Sequence, residues 1–202
     1  FAADGEAWCR RFGHEVISKE MKGSVVTMRL RIRDAAARPA AGPALGKSRK
    51  TMVVFSGDLD RVLASMVIAN GAVSMGSEVV LFFTFWGLNA LRKNAPQARG
   101  KALLDRMFGW MMPRGAARLN LSNMHMMGMG TALMRHVMRQ KRVDSLPEMI
   151  RQAQAAGVRF VACSMSMDVM GLKREELMDG IEVGGVAAFL GASEGADMTL
   201  FI

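Results

Sequence analysis

Four short apolar runs constrain this chain more than any other feature. They are TMVVFS (51–56), EVVLFF (78–83), VRFVAC (158–163) and MTLFI (198–202). Each is nearly continuous in branched and aromatic residues. None shows the alternation of a strand with one face in water. Such runs suit strands buried on both faces, the environment of a parallel sheet covered by helices. The segments between them supply the helices. DLDRVLASMVIANGAVSMG (58–76) places Leu59, Val62, Leu63, Met66 and Val67 on one side of a helix. WGLNALRK (86–93) begins a second. LPEMIRQAQAAG (146–157) carries Pro147 in its first turn and Gly157 past its end, the expected order for a helix. KREELMDG (173–180) and GGVAAFLGASEGA (184–196) read as helical, with a short strand at 181–183. The fold class that follows is α/β: a mostly parallel sheet with helices on both faces.

The chain before residue 51 reads differently. DGEAWCRRFGHEV (4–16) predicts a short helix ended by Gly13, with Asp4 as its cap. HEVISKEMKGSVVTMRLRI (14–32) alternates apolar and polar residues on both sides of Lys22-Gly23, a β-hairpin pattern. DAAARPAAGPALGKSRK (34–50) is rich in Ala, Pro and Gly without periodicity and reads as a linker. The expected organisation is therefore a small α+β helix–hairpin fragment at 1–33, a linker at 34–50 and an α/β domain at 51–202.

Two cysteines in 202 residues cannot build a disulfide framework, and no zinc-ligand cluster is visible. That pattern points to a reducing, cytoplasmic setting, and no metal or other cofactor is expected. The chain opens at FAADGEAW without Met, so a preceding segment is expected. The net charge of +9 is uneven. Between Lys101 and Arg142, eight Lys or Arg face one acid, Asp105, a net +7, and nine of the twenty methionines lie there too. A basic, Met-rich segment suits a membrane surface or an acidic partner. Tyr is absent and no stacking-aromatic pattern accompanies the charge, which argues against nucleic acid. The longest apolar run, 79–91, falls short of the roughly 20 residues that span a bilayer.

In a parallel α/β sheet the functional crevice lies beyond the carboxyl ends of the strands. Three loops meet that condition: SGDLD (56–60), TFWGLN (84–89) and CSMSMD (163–168). Cys163 ends a strand just before a helix start, where backbone N–H groups favour a thiolate. Ser164 and Ser166 are candidate hydrogen-bond donors to it, and Lys173 and Arg174 are near in sequence. A buried structural cysteine is the competing reading. Asp58 reads as a helix N-cap. Alternatively, the Gly57 turn forms an anion-binding nest. Trp86 reads as core packing or as a wall that desolvates the thiol. The run SNMHMMGMGTALMRHVM (122–138) suits an adaptable apolar lid or oligomer surface. A Met/His site for a soft metal, or a base at His125, is the sharper alternative.

Four segments in order carry a family resemblance: FSGDLDRVLASMVIANGAVSMGSEVVLFFTFWGLNALRK, MHMMGMGTALM, FVACSMSMDVMGLKREEL and the ending ADMTLFI. Across about 150 residues they resemble the DsrE/DsrF-like sulfur-relay proteins, especially the larger branch fused to other sulfur-handling modules. EAWCRRFGHEVISKE resembles the second helix and following strand of a TusA-like domain. The Cys-Pro-x-Pro motif on which such a domain carries sulfur is not in this sequence, so Cys9 does not inherit that role. The resemblance implies that Cys163 accepts sulfane sulfur as a persulfide and passes it to a partner thiol; Gly57, Asp58, Trp86, Ser164 and Ser166, read from their positions above, are the candidate binding residues. It implies a rhodanese-like donor, a TusA-like acceptor and a homo-oligomer. The rival reading is a non-catalytic interaction or membrane-peripheral module that uses residues 101–142.

Overall fold

The computed structural model describes residue 9, residues 14–22, 25–32 and 48–202. The chain divides into two units, 1–46 and 47–202. In the first, β1 (Glu15–Lys22) pairs antiparallel with β2 (Val25–Arg31), and the register runs from Glu15↔Arg31 to Lys22↔Val25. This is the hairpin that the alternation predicts. An irregularity between Val16 and Ser18 shifts the pairing and leaves Ile17 in solvent. Cys9 is buried and helical. The rest of the expected helix, the turn at Gly23 and residues 34–47 of the expected linker lie outside the described residues.

The second unit is built on five strands: β3 (Arg49–Val54), β4 (Glu78–Phe83), β5 (Arg159–Cys163), β6 (Glu182–Gly184) and β7 (Met198–Phe201). Their order is β6-β5-β4-β3-β7, and every pairing is parallel. The four apolar runs are four of these strands, but β7 lies at the sheet edge with Thr199 and Phe201 exposed, so it is not buried on both faces. The short strand expected at 181–183 is β6, one residue later. β3 starts at Arg49, two residues inside the stretch read as linker.

Alternate residues of each strand face opposite sides. Met52, Val54, Val79, Leu81, Phe83, Phe160 and Ala162 join one core with α1 (Leu59–Ser74) and α4 (Leu146–Ala155). Phe83 and Phe160 stack there with ring centroids 5.6 Å apart. Each such side chain contributes roughly 1.5–3 kcal/mol by leaving water. Val80, Phe82, Val161 and Cys163 face the other way, under α6 (Val186–Ser193). α6 reaches them with Phe189 and Ala192 only and has no fully buried residue. Phe82 and Phe189 meet at 5.2 Å.

Three helix expectations change. WGLNALRK is not an α-helix; Phe85–Leu91 is a 3-10 run. The reason is close approach: a Cβ on Gly87 would stand 2.1 Å from the Val54 carbonyl oxygen. The chain hugs the end of β3, with Gly87 N–H donating to Phe55 O (2.9 Å), and has no room for the wider helix. KREELMDG keeps only one 3-10 turn, Arg174–Glu176. Beyond it, Leu177 bridges to Arg92 instead. On α1, Val67 is exposed. The buried stripe continues through Ala69 and Ala72, and Val67 lies about 100° round from Met66. Within 101–142, α2 (Leu103–Met111) and α3 (Met129–Gln140) form. A short helix, α5 (Ser164–Val169), follows β5.

Candidate functional site

Cys163 is the last residue of β5 and the N-cap residue of α5. Its side chain is 2% exposed. Phe83 pairs with Ala162 across β4 and β5, so the next residues along, Thr84 and Cys163, stand level at the carboxyl edge of the sheet. The first turn of α5 brings Ser166 to the same place. The Thr84 and Ser166 hydroxyls share a buried 2.7 Å hydrogen bond. Burial pushes the Cys163 thiol up. Against it act the Ser166 hydroxyl and N–H, the Thr84 hydroxyl and the Met165 N–H, and together they hold its pKa below the ordinary thiol value. The sulfur makes no regular cap hydrogen bond to α5, so these groups act as dipoles oriented around it. A thiolate is the better acceptor and is the form they favour.

Ser166 is therefore where the sequence expects it. Ser164 is not among the groups that act on the thiol; it lies beside Gly185, at the start of α6. Lys173 donates to the carbonyls of Arg99 (3.0 Å) and Gly100 (3.4 Å). Among the described residues the groups that lower the Cys163 pKa are hydroxyl and amide dipoles, not cations. Thr84 was not singled out by sequence reasoning. Its signal was there: a hydroxyl residue closing an apolar strand one position beyond the last buried Phe.

Gly57, Asp58 and Trp86 gather in a second place. With Phe55, Ser56 and Arg61 they line a cleft of about 340 Å³, and Cys163 is not part of its lining. Gly57 lets the two loops touch, since a Cβ there would stand 2.9 Å from the Trp86 carbonyl oxygen. Trp86 is half exposed and walls this cleft; Cys163 belongs instead to the buried cluster of Val80, Phe82 and Val161. Asp58 sits at the N-cap of α1 but makes no capping bond. Its carboxylate accepts from Ser56 Oγ (2.9 Å) and pairs with Arg61 (3.7 Å).

At the start of α1, beside the Gly57 turn, a distant segment supplies the partners. The Asn120 carbonyl accepts from Leu59 N–H (2.7 Å), and Asp60 accepts from Ser122 through both N–H (2.8 Å) and hydroxyl (2.6 Å). Burial raises the Asp60 pKa, but the Ser122 donors and its own N–H bring it below the usual carboxylate value. The segment 120–122 thus caps α1 from sixty residues away in sequence.

His125 hydrogen-bonds Thr131 through Nδ1 (3.2 Å), and Met124, Met126 and Met127 project into solvent. Among the described residues no group of three or more His, Cys, Asp or Glu converges as metal ligands do. Among them, too, no helix is long and apolar enough to cross a membrane.

The geometry defines a five-stranded parallel α/β sheet with a buried cysteine at the carboxyl end of β5, next to the edge strand β6. Sequence comparison gives the family: residues 47–201 match the DsrE/DsrF/DrsH-like family, and the chain belongs to it. The uncharacterized protein YrkE of Bacillus subtilis (strain 168) is 48% identical over 154 residues, covering 76% of this chain and 96% of YrkE. The sulfur carrier protein DsrE2 of Allochromatium vinosum is 33% identical over 160 residues, covering 77% of this chain and 99% of DsrE2. Two solved structures are also similar. The ychN protein of E. coli has a TM-score of 0.46 at 12% identity, covering 77% of this chain and 99% of its own. MTH1491 of Methanobacterium thermoautotrophicum has a TM-score of 0.47 at 16% identity, covering 76% and 99%. Family membership and the likeness to a sulfur carrier support a general role in sulfur relay.

Proposed function

We propose that this protein relays sulfane sulfur on Cys163. The thiolate attacks the outer sulfur of a donor persulfide. A new S–S bond forms at Cys163, the donor's S–S bond breaks, and the donor thiolate leaves with the electron pair. An acceptor thiolate then attacks the outer sulfur on Cys163 and frees the Cys163 thiolate. No net oxidation occurs, and one transfer becomes two. The observation that carries the reading is the Thr84–Ser166–Cys163 cluster, which favours a thiolate at a buried position. Because Cys163 is 2% exposed, transfer requires movement of the thin cover, in which Phe189 of α6 is prominent.

The proposal extends to partners and assembly. A rhodanese-like donor and a TusA-like acceptor suit persulfide chemistry, and residues 1–33 are read as part of a TusA-like domain, joined by a linker to the α/β unit. Self-association through the Met-rich segment and a cytoplasmic location complete it.

The test is intact mass after incubation with polysulfide or with a thiosulfate–rhodanese donor. The expected result is a gain of one sulfur atom, lost in Cys163→Ser and kept in Cys9→Ser. An adduct that survives in Cys163→Ser, or never forms in the parent, overturns the reading.

One observation favours a second reading, contact with a membrane surface. α2 exposes Leu103, Leu104, Met107, Phe108, Trp110 and Met111 beside Arg106 and Arg114. Apolar residues flanked by cations fit the headgroup region of an anionic bilayer. Co-sedimentation with anionic vesicles that weakens at high salt supports this contact; no sedimentation at low salt removes it.

A further inference from the structure

The loop before α2 serves neither the thiol nor the Gly57 cleft. A cavity of about 600 Å³ opens there, and its lining includes Gln97, Arg99, Lys101, Arg106 and Arg114. It adjoins a buried ionic cluster. The side chains of Arg92, Lys101 and Glu176 are 2%, 1% and 5% exposed. Glu176 Oε1 meets Lys101 Nζ, and Glu176 Oε2 lies 3.6 Å from Arg92 Nη2. One carboxylate thus serves two buried cations, and one positive charge is left over. Burying a charge without a counterion is costly.

The two cations differ in how they are satisfied. Arg92 spreads its N–H groups over Asn89 Oδ1 and the carbonyls of Gly109, Met112 and Pro113. Lys101 has its ion pair with Glu176, but its buried ammonium makes no regular hydrogen bond, although it carries three donors.

The surroundings add to the excess. Arg92 has its pKa lowered first by burial and then by repulsion from nearby Arg114, with Glu176 opposing both. α2, nine residues long, starts directly after Lys101 with Ala102 at its N-cap and no side-chain acceptor on its first N–H groups. Ala102, Leu103 and Leu104 lie outside the cavity lining. The carbonyls of Arg99 and Gly100 are taken up by Lys173. The one acid of the first turn, Asp105, packs against Gly171 and does not line the cavity.

We propose that this cavity binds a small tetrahedral oxyanion of charge −2. The buried Arg92–Lys101–Glu176 cluster lies behind its wall and adds one net positive charge to its field. Arg99, Arg106 and Arg114 close around it, since guanidinium forks match paired oxyanion oxygens. Inorganic phosphate, sulfate and thiosulfate share this chemistry. The site is separate from the persulfide reading of Cys163.

The test is calorimetric titration of the full chain with each of the three anions, at matched ionic strength in chloride buffer. Saturable binding of at least one is expected, with a raised Tm that chloride does not reproduce. The triple variant Arg99→Ala, Arg106→Ala, Arg114→Ala leaves the buried Arg92–Glu176–Lys101 cluster in place and is expected to raise Kd about tenfold or more. Arg139→Ala with Arg142→Ala removes charge elsewhere in the same basic segment and is expected to change Kd by less than about twofold. Equal weakening in both variants, or no saturable binding of any of the three anions at millimolar concentration, overturns the site. Cys163→Ser retains the cavity, so anion binding by that variant is expected whether or not Cys163 carries sulfur, and the two readings fail separately.

Discussion

The two faces of the sheet are made from alternate residues of the same strands, yet they are covered very differently. One face packs Phe83, Leu81, Phe160 and Met52 against α1 and α4 in a continuous core. The other sets Val80, Phe82, Val161 and Cys163 under α6, which contacts them with Phe189 and Ala192 and leaves Val186 and Leu190 in solvent. The thick face holds the fold. The thin face holds the thiol, where uncovering it disturbs few contacts. On the proposed relay, this placement lets the thiol meet a partner from the side that opens at least cost.

The largest effect that tests this contrast is a paired truncation. Phe83→Ala removes a fully buried ring stacked on Phe160 and is expected to cost about 3–5 kcal/mol in urea unfolding. Phe82→Ala, one residue away under a single helix, is expected to cost about 1–3 kcal/mol. Equal costs would break the comparison. Amide hydrogen exchange sharpens it: α6 is expected to exchange faster than α1 and α4, and equal protection would remove the thin-cover argument.

Next comes thiol chemistry. Ser166→Ala and Thr84→Val each remove groups that favour the thiolate, so the Cys163 pKa is expected to rise. Alkylation at a fixed pH below that pKa then slows, by about tenfold for each pKa unit. Unchanged rates in both variants would show that the hydroxyl pair does not tune the sulfur. The same shift has a stability sign. The folded thiol has the lower pKa and binds fewer protons than the unfolded one, so its contribution is present above the unfolded pKa. It is lost as pH falls through the folded value, and Cys163→Ser removes that pH dependence from unfolding curves.

Smaller effects belong to the periphery. Arg159 pairs with Glu182 at 2.7 Å across β5 and β6, with both side chains about half exposed. Glu182→Gln is expected to cost about 0.2–1 kcal/mol at low salt and less at high salt. Trp110, 78% exposed on α2, is expected to tolerate Trp110→Ser within about 0.5 kcal/mol in thermal or urea unfolding. A larger loss would mean that α2 packs into the fold more than its exposure indicates.

Much of this architecture was legible in the chain. Continuous apolar runs announced the strands, of which β4 and β5 are buried and the edge strand β7 is not, and Pro147 with Gly157 bracketed α4. Cys163 stood out as the thiol at the end of such a run. Other features were illegible for local reasons. Phe85–Leu91 has helical composition, but Gly87 lies against the Val54 carbonyl oxygen and the segment tightens to 3-10 geometry. Asp58 has the residue type of a cap, but a carbonyl from Asn120 takes the Leu59 N–H and the carboxylate turns to Ser56 and Arg61. Val67 looks like core until Ala69 and Ala72 are seen to carry the stripe.

By itself, then, the sequence determined which segments are strands, that they lie parallel, that β4 and β5 are buried, and which strand delivers the thiol. Periodicity and burial are properties of a few neighbouring residues, so they can be read locally. Only the tertiary structure decided that Thr84 stands level with Cys163 and that Ser166 completes the cluster. It alone put Gly57, Asp58 and Trp86 in a different cleft and left Glu176 to serve two buried cations. Those outcomes depend on strand order and register, which join residues as distant in the chain as Thr84 and Ser166, 82 positions apart.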